Sequence, residues 1–163
     1  MIVIKTILIS TYKKYIEKKQ TGEKEYEIRP FVPKCELPFK VVEYEPLKEG
    51  GRGKVIQEFI VNEIIPIVYP IDNNSAVIQN KSGVERADMI AYSKNETRKL
   101  YAWHITDLKV YPKPKELGEF KRKQLCKRPC RDFIENVCRS RKDCIYDKPI
   151  TKGPQNLMYV EEI

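Results

Sequence analysis

Gly22-Glu23-Lys24-Glu25-Tyr26-Glu27-Ile28-Arg29 is the stretch of this chain on which the interpretation of the rest depends. If residues 24–29 form a strand, Lys24, Tyr26 and Ile28 lie on one face and residues 25, 27 and 29 lie on the other. A Lys, a Glu and an Arg clustered at the mouth of a small fold are able to hold a phosphate or a base. The alternative is a solvated surface strand, because runs of charge usually face water.

The elements around this stretch predict a mixed α+β fold. Apolar residues 2–10 predict a buried strand, and residues 12–19, capped by Ser10 or Thr11, predict a short amphipathic helix that Gly22 ends. Further along, the pattern predicts strands at 39–44, 54–68, 99–111 and 158–160, a helix at 84–92 and a polar loop at 72–82. The absence of βαβ alternation favours a small mixed β-barrel with peripheral helices.

Composition and length predict one globular domain spanning residues 1–163. Apolar residues make up 41% and charged residues 33% of the chain, which excludes a disordered polyelectrolyte. No apolar run approaches the length of a membrane span. The first ten residues lack the basic start and small-residue cleavage site of a secretion signal, so the expected location is the cytoplasm.

The net charge of +8 is concentrated near the end of the chain. Residues 112–143 contain eleven Lys/Arg and five Asp/Glu, a local net charge of +6. Such a block attracts polyanions and favours a nucleic-acid partner, and we select Lys121, Lys123 and Arg128 as candidate contacts. The alternative is a basic surface that only confers solubility.

Four cysteines fall within nineteen residues of the basic block, in the pattern C-x3-C-x7-C-x5-C. Four thiolates so close together, in a chain without a secretion signal, favour a structural Zn(II) site over disulfides. An iron–sulfur centre and unliganded thiols stay open as alternatives. The predicted ligands are Cys126, Cys130, Cys138 and Cys144, within a Cys-rich insertion at 121–148 that forms a metal knuckle before the last strand.

Other candidate residues have simpler interpretations. Cys35 stands apart and is expected to be a small buried hydrophobe. His104, the single histidine, is expected to be a core residue rather than a catalytic one. Tyr26 or Trp103 could stack on a base, although each is as readily a core residue.

The order strand, helix, Gly22, Lys24, Glu27, Arg29 resembles the ASCH family of the PUA-like superfamily, whose motif G-x-K-x-x-E-x-R these residues fill. Residues 53–59, residues 101–108 with the proline exit that follows, and residues 155–160 resemble later family strands, the last as in phage and Gram-positive bacterial members. The resemblance spans roughly residues 3–120 and the final ten. It implies a small β-barrel with a cleft that binds RNA or modified nucleosides.

One departure from the family limits what the resemblance implies about catalysis. In the family's acetylcytidine amidohydrolases, a threonine nucleophile occupies the position that Glu27 holds here. A glutamate does not form the same acyl intermediate productively, but Glu27 and Lys24 could form an acid–base pair, for example in RNA cleavage.

Three functions follow from the sequence. The first is an RNA- or nucleotide-binding module in which Lys24 and Arg29 contact phosphate and Glu27 contacts a base edge or orients Arg29. The second is a hydrolase, either a ribonuclease or an amidohydrolase of a modified nucleoside, with Lys24 and Glu27 as catalytic candidates. The third is an interaction protein of a mobile element, whose basic block binds a protein partner.

Overall fold

Seven strands and three helices are formed by residues 4–123 and 148–163, which are the residues that the structure, a computed structural model, describes. None of these helices has the length and hydropathy needed to cross a bilayer. In chain order the elements are β1 (Thr6–Ser10), α1 (Lys13–Gln20), β2 (Tyr26–Arg29), β3 (Phe39–Glu45), β4 (Lys54–Pro66), α2 (Asn73–Lys81), α3 (Arg86–Tyr92), β5 (Tyr101–Lys115), β6 (Phe120–Arg122) and β7 (Met158–Glu162).

The strands form one mixed sheet in the order β2-β5-β4-β3-β1-β7-β6. β1 runs parallel to β3, and the other neighbouring strands are antiparallel. The predicted α+β class is confirmed. The predicted closed barrel is wrong in the described residues, because the sheet stays open. Among the described strands, β2 and β6 end the sheet and no ladder joins one to the other.

The central strand β1 is buried on both faces, which explains its unbroken apolar run. Leu8 packs into one hydrophobic cluster, and Ile7 and Ile9 pack into another on the opposite face. Trp103 of β5 lies fully buried in the second cluster, with the Phe39 ring 5.5 Å away edge-on. The suggestion that Trp103 stacks on a bound base is therefore wrong.

Most of the predicted loop at 72–82 is helical instead, because α2 spans Asn73–Lys81 with Asp72 and Ser82 as its caps. Asp72 caps the helix, because its carboxylate accepts a hydrogen bond of 2.7 Å from the Ser75 backbone N–H. Only Ser75 and Ile78 of this helix are buried, so it carries no apolar stripe that a periodicity search detects. Strand β6 is not predicted for a related reason, because a strand of three residues is too short to show an alternating hydrophobic pattern.

The predicted Cys-rich insertion at 121–148 begins inside β6, whose residues pair with β7. Residues 124–147 of that insertion lie outside the described residues. The four cysteines of the predicted knuckle, and Arg128 with them, belong to this part of the chain.

Candidate binding cleft

The turn between α1 and β2 positions the residues of the opening stretch. Gly22 adopts a φ of +82°, a left-handed conformation that suits glycine, and its N–H donates to Lys19 O at the end of the helix. The prediction of a glycine at the helix C-terminus is thus confirmed. The turn sends the chain directly into β2, which pairs with β5 along its whole length.

Glu27 and Arg29 lie on the same side of β2, as the strand alternation predicts. The Arg29 Nε–H donates to Glu27 Oε1 at 3.0 Å. Lys24 precedes the strand, so the alternation of side chains along β2 does not determine which way the Lys24 side chain points. Its ammonium donates to Ser82 O at 2.8 Å and lies 3.9 Å from Glu27 Oε2. Lys24, Glu27 and Arg29 are only 4%, 5% and 8% exposed, and the interpretation as a solvated surface strand is wrong.

Beneath these three residues lies a second layer of polar side chains that the sequence did not point out. The fully buried ammonium of Lys19, from α1, contacts Glu27 Oε2 at 2.6 Å and also Glu43 Oε1. Glu43 of β3 accepts further hydrogen bonds, from Thr11 Oγ1 at 2.9 Å and from Gln57 Nε2 at 2.6 Å. The cluster therefore joins α1 to three strands of the sheet.

Two irregularities in the sequence pattern mark this second layer. Lys19 follows Ile16 by three residues, so a charge falls on the apolar face of α1. Glu43 shares the face of β3 that carries Phe39 and Val41, where an apolar residue is expected. Thr11 was predicted as a helix cap, but Tyr12 holds the N-cap position without a side-chain cap. The Thr11 hydroxyl instead donates to Glu43 and accepts from Arg29 Nη2.

Burial and neighbouring charges set the protonation states of Lys24 and Glu27. Burial lowers the pKa of Lys24 from 10.5 to about 8, only partly opposed by the Glu27 carboxylate. Burial acts to raise the pKa of Glu27, but Lys19, Lys24 and Arg29 more than offset it and hold that pKa well below its usual range. Glu27 is thus ionised at neutral pH and is a poor proton acceptor.

A cleft of about 400 Å³ opens above this cluster. Its floor is formed by Lys24, Glu27 and Arg29 together with Ser10 and Thr11 at the end of β1. Side chains of α1 and α3 line its walls, among them Tyr15 and Tyr92, and Tyr12, just before α1, adds a third tyrosine. The remaining lining residues are Lys14, Ile28, Glu49, Val84 and Asp88.

The walls and the floor of the cleft interact with each other. The Lys24 ammonium lies 5.2 Å from the centre of the Tyr15 ring, within cation–π range. Burial raises the pKa of the Tyr92 hydroxyl, with Arg29 opposing this rise and Glu27 adding to it. Cations and aromatic rings thus meet in a space large enough for one nucleotide unit.

The other sequence candidates lie away from the cleft. Lys121 and Lys123 are on and just after β6, at the opposite edge of the sheet from β2, and Lys121 pairs with Glu161 at 3.6 Å. His104 Nδ1 is 2.9 Å from Asn62 Oδ1, and its ring packs against Tyr26. It is only partly buried, unlike the core residue that was expected, and it is not among the residues that line this cleft.

Two further expectations concern cysteine. Cys35 is half-buried and packs against the cluster that contains Trp103, close to its predicted role as a small hydrophobe. Within residues 4–123 and 148–163, no group of three or more His, Cys, Asp or Glu side chains is placed to hold a metal ion. The predicted zinc ligands are not among these residues.

No protein-family model and no curated protein matches this chain, but solved structures do. The ASCH protein of Zymomonas mobilis superposes with a TM-score of 0.64, at 15% identity, over 96% of this chain and 87% of that one. A tyrosine-to-phenylalanine and a serine-to-alanine variant of it each give a TM-score of 0.62 at 16% identity. They match 96% of this chain and 90% and 88% of their own. The fold is that of an ASCH protein.

The ASCH fold agrees with the resemblance carried by Gly22, Lys24, Glu27 and Arg29. At this level of identity the likeness describes the backbone architecture alone. What the cleft binds has to be argued from the side chains of this chain.

Proposed function

We propose that this chain is an ASCH-type RNA- or nucleotide-binding module whose ligand occupies the cleft above Lys24, Glu27 and Arg29. The observation that carries the proposal is the placing of buried cations at the floor of a cleft with tyrosine walls. Burying charge is costly, and a fold gains little from doing so beside an open cleft unless a ligand uses it. Cations for phosphate and rings for bases are the two elements of single-stranded nucleic-acid recognition.

Each floor residue has a distinct role in this proposal. Lys24 and Arg29 contact the phosphate, and Arg29 is held in place because Glu27 Oε1 and Ser10 O accept from its guanidinium. The orienting role for Glu27 is favoured over contact with a base edge, since cations of the protein surround both its oxygens. Tyr15 and Tyr92 are the rings placed to stack on a base.

RNA binding by purified protein tests this proposal. Fluorescence anisotropy with a labelled single-stranded oligoribonucleotide is measured for the wild type, Arg29→Ala and Lys123→Ala, after circular dichroism has shown that each is folded. The expected result is that Arg29→Ala lowers the affinity for the oligoribonucleotide at least tenfold. Lys123→Ala should lower the same affinity less than threefold. Equal small losses would remove the cleft from the binding site.

A hydrolase acting on RNA or a modified nucleoside is the second candidate, and one observation favours it. The lowered pKa of Lys24, about 8, gives an amine that exchanges protons near neutral pH inside a cleft. This function predicts turnover that Lys24→Ala abolishes. Intact RNA and intact N4-acetylcytidine after prolonged incubation with the wild type would exclude it.

We also propose that Cys126, Cys130, Cys138 and Cys144 bind a structural Zn(II), and that the basic residues around them extend the RNA contact. The donor set supports this, because four thiolates satisfy tetrahedral Zn(II). The test is elemental analysis of protein purified without added metal. One zinc per chain, lost when Cys130 and Cys138 are replaced by serine, is the expected result, and absence of zinc would overturn it.

A further inference from the structure

The charges of the buried cluster do not balance. Three cations, Lys19, Lys24 and Arg29, meet two carboxylates, Glu27 and Glu43, within the described residues. If all five are ionised, the cluster carries a surplus of one positive charge. An unbalanced charge in a poorly solvated place has a strong preference for the ligand that neutralises it.

The surplus belongs to Lys24. Lys19 lies between two carboxylates, and Arg29 forms a 3.0 Å ion pair with Glu27. The closest partner of Lys24 is the neutral carbonyl oxygen of Ser82, with a carboxylate oxygen no nearer than 3.9 Å. Lys24 also lines the cleft, so its charge is available to a ligand there.

The mouth of the cleft opposes a ligand with more than one negative charge. Two exposed carboxylates, Glu49 and Asp88, line it together with one cation, Lys14. The mouth therefore carries a net charge of −1, and the cluster and mouth together are neutral.

From this distribution we infer that the cleft takes a singly charged phosphodiester of an RNA linkage in preference to the doubly charged phosphomonoester of a nucleotide or RNA end. The inference rests on the proposed RNA- or nucleotide-binding function and narrows its ligand class. A diester neutralises the surplus at Lys24. A monoester dianion leaves one negative charge uncompensated in the buried cluster, close to the carboxylates at the mouth.

A matched pair of probes tests the inference. Uridine 3′-phosphate and its methyl diester differ in charge but share base, ribose and phosphorus position, and each competes with the labelled oligoribonucleotide at low salt. At pH 7.5 the diester should compete at least fivefold better. At pH 5 the difference should narrow to less than twofold, because a phosphomonoester takes up a proton with a pKa near 6.

Variants that remove a carboxylate from the site should weaken its preference for the diester over the monoester. Asp88→Asn is exposed and should fold normally, and Glu43→Gln keeps the shape of a buried side chain. Each makes the site one unit more positive, so each should improve monoester binding at least threefold relative to the diester. Lys109→Met, at an exposed position of β5 that does not line the cleft, removes one surface charge and should leave the ratio unchanged.

The possible outcomes test the diester preference separately from the proposed RNA- or nucleotide-binding function. A monoester that competes as well as or better than the diester at pH 7.5, with RNA binding intact, overturns the inference alone. A protein that binds no RNA overturns the proposed function and the inference together. A diester preference that Asp88→Asn leaves unchanged also overturns the inference, because the discrimination would not come from charge.

Discussion

Lys19 and Lys24 carry the same charge and are both buried, yet replacing each by methionine should change stability in opposite directions. Lys19 contacts two carboxylates, and its removal leaves Glu27 and Glu43 without their shared cation. Breaking a buried ion pair on one side costs about 3–5 kcal/mol. Lys19→Met should therefore lose about that much of the free energy of unfolding at pH 7.

Lys24→Met should have the opposite effect. The fall of the Lys24 pKa from 10.5 to about 8 means that folding disfavours its charged form. At about 1.4 kcal/mol per pKa unit, this corresponds to roughly 3 kcal/mol as an upper limit. Lost contacts with Ser82 and Tyr15 reduce the gain, so Lys24→Met should be about 1–3 kcal/mol more stable at pH 7.

The sign of the pH dependence follows from the same numbers. Between pH 8 and 10.5 the unfolded chain holds a proton on Lys24 that the folded chain has released, so the wild type gains stability with rising pH. The advantage of Lys24→Met is therefore complete below pH 8 and disappears as the pH approaches 10.5. Lys13→Met, on the exposed side of α1, is the control and should change stability by less than about 0.5 kcal/mol.

Urea denaturation followed by circular dichroism at pH 7, 9 and 10.5 measures all of these differences. Two results would refute the reasoning. The first is destabilisation by Lys24→Met at pH 7, which would mean that its contacts outweigh its desolvation. The second is a loss of less than 1 kcal/mol in Lys19→Met, which would mean that solvent or rearrangement compensates the two carboxylates.

Three further substitutions test other parts of the account. Tyr92→Ala should weaken RNA binding about tenfold by removing a stacking ring, while Val77→Ala, exposed on α2, should leave anisotropy titrations unchanged. Gly153→Ala should lower the free energy of unfolding in urea by about 1–3 kcal/mol, because its Cβ would lie 2.5 Å from the Tyr44 ring, and an unchanged midpoint of the urea transition would contradict that packing. Glu96→Gly should raise stability by about 0.5 kcal/mol, since φ is +64° there, and a lower melting temperature would speak against that conformation.

Sequence reasoning succeeded where local pattern and tertiary environment agree. The apolar run through Ile7 predicted a central strand, and Gly22 predicted the end of α1, because each depends on neighbours within a few residues. Helix α2 was missed because its contact with the core depends on two residues, Ser75 and Ile78. The open sheet was also missed, since closure depends on where distant strands end.

Of the candidate site, the sequence predicted Lys24, Glu27 and Arg29 but not the layer of polar side chains beneath them. The motif of Lys24, Glu27 and Arg29 is contiguous, and strand alternation placed Glu27 with Arg29. Lys19 and Glu43 join them through contacts between segments up to 24 residues apart. No single local pattern reveals such a contact, although each of the two places a charge on an otherwise apolar face.

The most direct test of the central claim is to observe where a nucleotide ligand binds. Two-dimensional NMR of the labelled protein is recorded as the methyl diester of uridine 3′-phosphate is added, following the Arg29 Nε–Hε signal and the backbone amides. The account predicts saturable shifts at Arg29, Lys24, Tyr15 and Tyr92, with Lys121 and Lys123 at the far edge of the sheet unaffected. Shifts confined to β6 and its neighbours, with the Arg29 signal unmoved, would contradict it.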